Sequence, residues 1–175
     1  MIAHISKIEI STLKSIKIVF FDFDGVFTNN SVYVREDGLE TVKSSRSDGL
    51  GLARLESAGI KMMIISTEKN IVVKKRAEKL GIECIHGSTD KKNEIEMICK
   101  EHSINPNDAI FVGNDINDIP ALNFVGIPIG VADSYEEIYP HISFITKKNG
   151  GEGAVREICD HIYFSLKKTN GASIE

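Results

Sequence analysis

Four short apolar runs punctuate the chain: residues 16–21 (IKIVFF), 60–65 (IKMMII), 109–112 (AIFV) and 127–131 (IPIGV). They are rich in Ile and Val and lack the polar alternation of a half-solvated strand. That is the pattern of strands buried on both faces. Helical segments lie between them. Residues 48–58 open with Asp48 as a candidate cap. Residues 70–80 open with Asn70 and end at Gly81, a natural residue just beyond a helix terminus. Residues 90–102 and 116–124 repeat the pattern, and 151–166 read as a final helix. Strand and helix in alternation predict a doubly wound, mainly parallel α/β sheet.

One stretch breaks the alternation. Residues 27–44 hold two extended runs around Glu36-Asp37-Gly38. Asp-Gly between β-type residues signals a hairpin. The expectation is a β-hairpin inserted directly after the first strand. The chain of 175 residues then reads as one domain, 1–175, with a core over about 16–165 and a mobile polar tail over 167–175. Its apolar fraction of 42% and charged fraction of 26% are those of a globular protein, and its size suffices for a core without disulfide or metal.

Charge and cysteine content narrow the function. Lys and Arg number 21 against 25 Asp and Glu, a formal charge of −4, which makes the chain a poor candidate for general nucleic-acid binding. No apolar stretch approaches the ~20 residues of a membrane span, and residues 1–10 carry no signal-peptide core. Cys84, Cys99 and Cys159 are an odd, widely spaced set, as in a cytoplasmic protein with reduced thiols.

The strongest chemical signal is the run Asp22-Phe23-Asp24-Gly25-Val26-Phe27-Thr28, directly after the first buried strand. Strand C-termini are where doubly wound sheets bind ligands. Two carboxylates at i and i+2 share a face in extended chain. They repel unless a cation sits between them or one holds a proton. Gly25 lets the chain turn and brings backbone N–H groups to an anion. A second acidic cluster, Gly113-Asn114-Asp115-Ile116-Asn117-Asp118, follows the strand at 109–112. Oxygen donors without His or Cys suit Mg²⁺. Ser66-Thr67 supply hydroxyls at a third strand end, and Lys91 opens the helix after Asp90.

DFDGVFT, a later Ser/Thr, a lysine and GNDIND, in that order, resemble the haloacid dehalogenase-like phosphatases. DGVFTN, SDGLG, KRAEKLGI and GGEGAVRE resemble its small capless branch. That branch holds the 3-deoxy-D-manno-octulosonate 8-phosphate and nonulosonate 9-phosphate phosphatases, and modules fused to acylneuraminate cytidylyltransferases. The resemblance implies a Mg²⁺-dependent sugar-acid phosphatase. Asp22 would be the nucleophile. Asp24 would be the general acid and then base, its main-chain carbonyl joining the metal shell. Ser66 would donate to the phosphate, and Lys91 would balance its charge.

Two departures from the branch pattern bear on this. Asn114 stands where the branch carries Asp, so either Asn114 or Asp115 completes the metal shell beside Asp22 and Asp24. Thr67-Glu68 stand where octulosonate phosphatases carry Gly-Arg, and Glu68 with Lys79 resembles the nonulosonate side. Gly25, Thr67, Glu68, Lys79, Arg46 and Arg156 form the candidate substrate-binding set, the two arginines for a carboxylate. The alternative reading is a catalytically weak module that supports oligomerisation or a cytidylyltransferase. Val32, Tyr33, Val34 and Leu39 on the hairpin lack a core of their own. They predict burial against another subunit in a homotetramer, as the resemblance also implies.

Overall fold

A computed structural model describes residues 2–169. Its strands are β1 (Ala3–His4), β2 (Ile18–Phe21), β3 (Thr28–Val34), β4 (Glu40–Ser44), β5 (Lys61–Ile65), β6 (Glu83–Ile85), β7 (Ala109–Gly113), β8 (Ile127–Gly130) and β9 (Phe144–Ile145). Its α-helices are α1 (Ile10–Ser15), α2 (Ser47–Ser57), α3 (Val72–Leu80), α4 (Lys91–Glu101), α5 (Ile119–Leu122) and α6 (Ala154–Thr169).

Seven strands form one sheet in the order β1-β9-β8-β7-β2-β5-β6. All of its pairings are parallel. The four residues of β2 are buried and alternate between two cores. Val19 and Phe21 pack with Leu13 of α1, Leu52 and Leu55 of α2, Val73 of α3 and Ile158 of α6. Ile18 and Phe20 pack with Ile95 and Ile98 of α4 and Leu122 of α5. A side-chain period of two thus feeds helices on both faces. This is the doubly wound sheet the apolar runs predict.

Register sets the site. Phe21 lies level with Ile64 on one side and Val112 on the other. The Asp22 N–H donates to the Val112 carbonyl at 2.8 Å. The chain therefore leaves β2, β5 and β7 at one height. β2 is the strand from which the connections run to either side, the switch point where open α/β sheets bind ligands.

The hairpin β3–β4 forms a separate two-stranded sheet. Its Asp37-Gly38 turn is closed by Arg35 N–H to the Leu39 carbonyl at 2.9 Å, with Asp37 Oδ1 accepting from the Leu39 N–H at 3.1 Å. It follows the second strand of the chain, because β1 forms an edge strand beside β9. β1, β6 and β9 have two or three residues each, too few to show a period.

Three further details differ from the expectation. Asp48 does not cap α2: it is buried within the helix, and its Oδ1 accepts from the Arg156 N–H of α6 at 3.2 Å. Residues 116–118 form a 3₁₀ turn before α5, which carries Pro120 in its first turn. α6 begins at Ala154, after a Gly-rich turn, and continues through Thr169. Residues 167–169 of the expected tail are thus helical, and 170–175 lie outside the described residues.

Candidate active site

Lys91 is the hub. Its Nζ lies 2.6 Å from Asp22 Oδ1 and 2.6 Å from Asp118 Oδ1, and all three residues are buried. Asp90 caps α4 by accepting from the Asn93 N–H at 3.0 Å, which places Lys91 at the helix start. Burial works against the ammonium, but the two carboxylates outweigh it and hold the Lys91 pKa above its ordinary value. Burial, then the Asp118 charge, push the Asp22 carboxyl up to about 7 despite Lys91. Further positive charge beside Asp22 would favour its ionised form.

Asp118, which the sequence places in the second acidic cluster without a role of its own, is the second partner of Lys91. Its Oδ2 accepts from the Asn114 N–H at 2.8 Å and the Asp115 N–H at 3.3 Å, folding the loop after β7 back on itself. Gly113 makes room for this, since a Cβ there would lie 2.6 Å from Asp118 Oδ2. The spacing of Asp115 and Asp118 was a readable signal, because it makes a reciprocal cap. Its partnership with Lys91 spans 27 positions and had no local sign.

A cavity of about 80 Å³ opens above these groups, lined by Asp22, Asp24, Asn30, Thr67, Asn114, Asp115 and Asn117. Larger cavities of about 270 and 640 Å³ lie at the opposite end of the sheet, away from Asp22 and Asp24. Gly25 has φ +79°, a left-handed backbone suited to glycine, and a Cβ on it would overlap the Asn114 carboxamide. Asn114 is buried and its Oδ1 has no hydrogen-bond partner. A buried unpaired acceptor beside two carboxylates is a cation-binding feature. With Asp22 and Asp24 it makes a hard-oxygen donor set that fits Mg²⁺. Asp115 is less free, since its Oδ1 accepts from the Ile116 N–H at 2.7 Å.

Asp24 is half-buried. Burial first, then the Glu68 charge, raise its carboxyl above the ordinary range, against the pull of Lys91. Ser66 is buried at the end of β5, where its hydroxyl accepts from the Glu68 N–H at 3.1 Å. Thr67 lines the cavity, 3.5 Å from the Asn117 amide nitrogen. Glu68 Oε1 accepts from the Asn70 N–H at 2.7 Å, and the Asn70 amide donates to Glu40 of β4 at 3.2 Å. Asn30 and Asn117 complete the rim; neither was singled out from the sequence.

The structure does not bring Arg156 to the cavity. Its Nε donates to Asp160 at 2.6 Å and its Nη1 to the Ser47 carbonyl at 3.4 Å, tying α6 to α2. Asp160 lies four residues on, the spacing of helical ion pairs. Arg46 is exposed just before α2, and Lys79 is exposed in the last turn of α3. Neither lines the cavity.

The sequence profile of haloacid dehalogenase-like hydrolases matches residues 56–158, more than half of the chain. The chain is 29% identical over 148 residues to the 3-deoxy-D-manno-octulosonate 8-phosphate phosphatase of Escherichia coli strain K12, covering 84% of this chain and 79% of that protein. A Moraxella catarrhalis structure of an enzyme of that name, in complex with magnesium ion, phosphate ion and a KDO molecule, superposes with TM-score 0.86. It has 32% identity and covers 93% of each chain. The Yersinia pestis counterpart gives TM-score 0.87 at 30% identity, covering 94% of this chain and 89% of that one. The chain belongs to the haloacid dehalogenase-like hydrolases and is a phosphoric monoester hydrolase of that family.

Proposed function

We propose that this protein is a cytoplasmic, Mg²⁺-dependent phosphatase that hydrolyses the phosphate monoester of a 2-keto-3-deoxy sugar acid. The substrate would be a nonulosonate 9-phosphate or 3-deoxy-D-manno-octulosonate 8-phosphate. The observation that carries this reading is Lys91 held between Asp22 and Asp118 beside the unpaired Asn114 oxygen. The named activity of the relatives supports the sugar-acid class.

In this mechanism Asp22 attacks phosphorus and the ester oxygen leaves with the proton of Asp24. Water, deprotonated by Asp24, then attacks the aspartyl-phosphate and releases inorganic phosphate and free Asp22. The raised Asp24 pKa favours the protonated acid that the first step needs. Lys91 offsets charge on the phosphoryl group, and Ser66 donates to one of its oxygens. Mg²⁺, held by the Asp22 carboxylate, the Asp24 carbonyl and Asn114 Oδ1, would neutralise charge on the transferring group.

Assembly completes the reading. The cavity is too small to enclose a sugar acid, and the hairpin residues Val32, Tyr33, Val34 and Leu39 are more than half exposed. We place these faces together in a homotetramer whose hairpins cover neighbouring sites. Glu68 then meets sugar hydroxyls near the phosphate. Lys79, at the far end of α3, meets substrate in a neighbour's site. The free thiols Cys84, Cys99 and Cys159 accord with a reducing compartment.

The test is release of inorganic phosphate from both sugar-acid esters and from an aryl phosphate, with Mg²⁺ and after chelation. Activity restored by Mg²⁺ and abolished by Asp22→Asn, with the fold intact by circular dichroism, is expected. No turnover with Mg²⁺ present would favour the catalytically weak module, for which the uncharged Asn114 is the supporting feature.

A further inference from the structure

Asn30 is one of two non-glycine residues with positive φ among the described residues, at φ 59°. It lies where the β3–β4 register shifts between Thr28 and Val32. The left-handed region costs stability for any residue with a Cβ, and glycine would occupy it unstrained. Asn tolerates it best, usually because its side chain bonds locally. Here that compensation is missing: the hydrogen bond at Asn30 is its backbone N–H to Thr28 Oγ1 at 3.2 Å, and its carboxamide has no partner among the described residues.

The position is also built rigidly onto the acid loop. The buried Thr28 hydroxyl accepts from the N–H groups of both Gly25, at 3.1 Å, and Asn30. Gly25 follows Asp24 directly in the chain. Asn30 is therefore held at a fixed offset from the acid that would protonate the leaving group. The cavity of about 80 Å³ has room for a phosphoryl group, so whatever carries the ester oxygen must cross its rim. Of the rim amides, Asn117 faces Thr67, whereas Asn30 is uncommitted.

We infer that Asn30 is a specificity-determining residue. Its carboxamide binds a hydroxyl of the leaving group next to the ester oxygen and holds that oxygen over Asp24. A carboxamide both donates and accepts, as a polyhydroxylated chain requires. The inference deepens the sugar-acid reading and rests on it.

The test compares wild type with Asn30→Gly and Asn30→Ala, using 3-deoxy-D-manno-octulosonate 8-phosphate, a nonulosonate 9-phosphate and p-nitrophenyl phosphate. Both variants lack the carboxamide, but Gly relieves the backbone strain and Ala keeps it. The expected result is a fall of about tenfold in kcat/KM for the preferred sugar-acid ester relative to the aryl ester in both variants. Thermal stability should rise in Asn30→Gly and fall in Asn30→Ala. Wild-type selectivity retained in Asn30→Gly, or equal losses on all esters, would overturn the role of Asn30 and leave the sugar-acid reading standing. A wild type that hydrolyses the aryl ester but neither sugar-acid ester would overturn that reading, and this inference with it.

Discussion

Two buried aspartates outside the direct path of the reaction have opposite characters. Asp118 is matched by a cation and two backbone N–H groups. Asp118→Asn keeps the shape but leaves the buried Lys91 one carboxylate short. Breaking one side of a buried charge pair typically costs about 3–5 kcal/mol. The expected outcome is a large drop in thermal midpoint together with loss of phosphatase activity, measured by calorimetry and phosphate release. Asp48 is poorly matched: Oδ1 has the Arg156 N–H, and Oδ2 has no partner. Burial pushes its carboxyl from 3.8 up to about 6, against the nearby arginine charges. A raised folded-state pKa means that the fold binds this proton more tightly than the unfolded chain does. The stabilisation is complete below pH 3.8 and lost as pH rises through about 6. The loss is on the order of 2–3 kcal/mol. Asp48→Asn keeps the acceptor and has no charge to bury, so it should melt higher than wild type at pH 7.5 and show no such advantage at pH 4. A pH-independent difference in midpoint would instead mean that the arginines hold Asp48 ionised.

Between elements, the site depends on how closely two loops approach. The turn after β2 and the loop after β7 meet where Gly25 abuts the Asn114 carboxamide. Gly25→Ala adds a Cβ on a left-handed backbone and into that carboxamide. The backbone term alone is about 1–2 kcal/mol. Asn114 must move, and with it the proposed metal oxygen. The variant should fold, require a higher Mg²⁺ concentration for half-maximal activity and lose kcat at saturation. A Mg²⁺ titration of phosphate release checks this, and an unchanged requirement would remove Asn114 from the proposed shell. The contact explains why Gly25 matters beyond the turn it makes.

For the whole molecule, the hairpin is the part that leaves a run of apolar side chains uncovered, although Val42 packs on the core. Val34 and Leu39 are 65% and 60% exposed, and among the described residues β3–β4 pairs with no other strand. An isolated two-stranded ribbon is marginal in water unless its apolar face is covered. On the proposed homotetramer, Val34→Lys with Leu39→Lys should shift the protein to smaller species in light scattering. It should also lower kcat/KM for the sugar-acid ester more than for a small aryl phosphate, because the cover over the site is lost. A wild type that is monomeric and fully active at assay concentration would defeat the assembly.

Much of this architecture was legible from contiguous residues. The buried strands β2, β5, β7 and β8 announce themselves as apolar runs, because burial on both faces removes polar alternation locally. The acids of 22–24 and 114–118 were legible because they follow such runs directly, at the sheet edge where ligands bind. The short strands β1, β6 and β9 were not, since two or three residues carry no period. Nor were the roles of Asp118, Asn30 and Arg156. Asp118 acts through a lysine 27 positions away, which only strand register and helix packing bring within 2.6 Å. The left-handed backbone at Asn30 accompanies a register shift in the hairpin, not a local preference of its neighbours. Arg156 turned from the site because Asp160 and the end of a packed helix captured its guanidinium. Periodicity and turn chemistry are properties of neighbouring residues. The convergence of distant charges depends on how the layers stack, and that is settled only when the chain has folded.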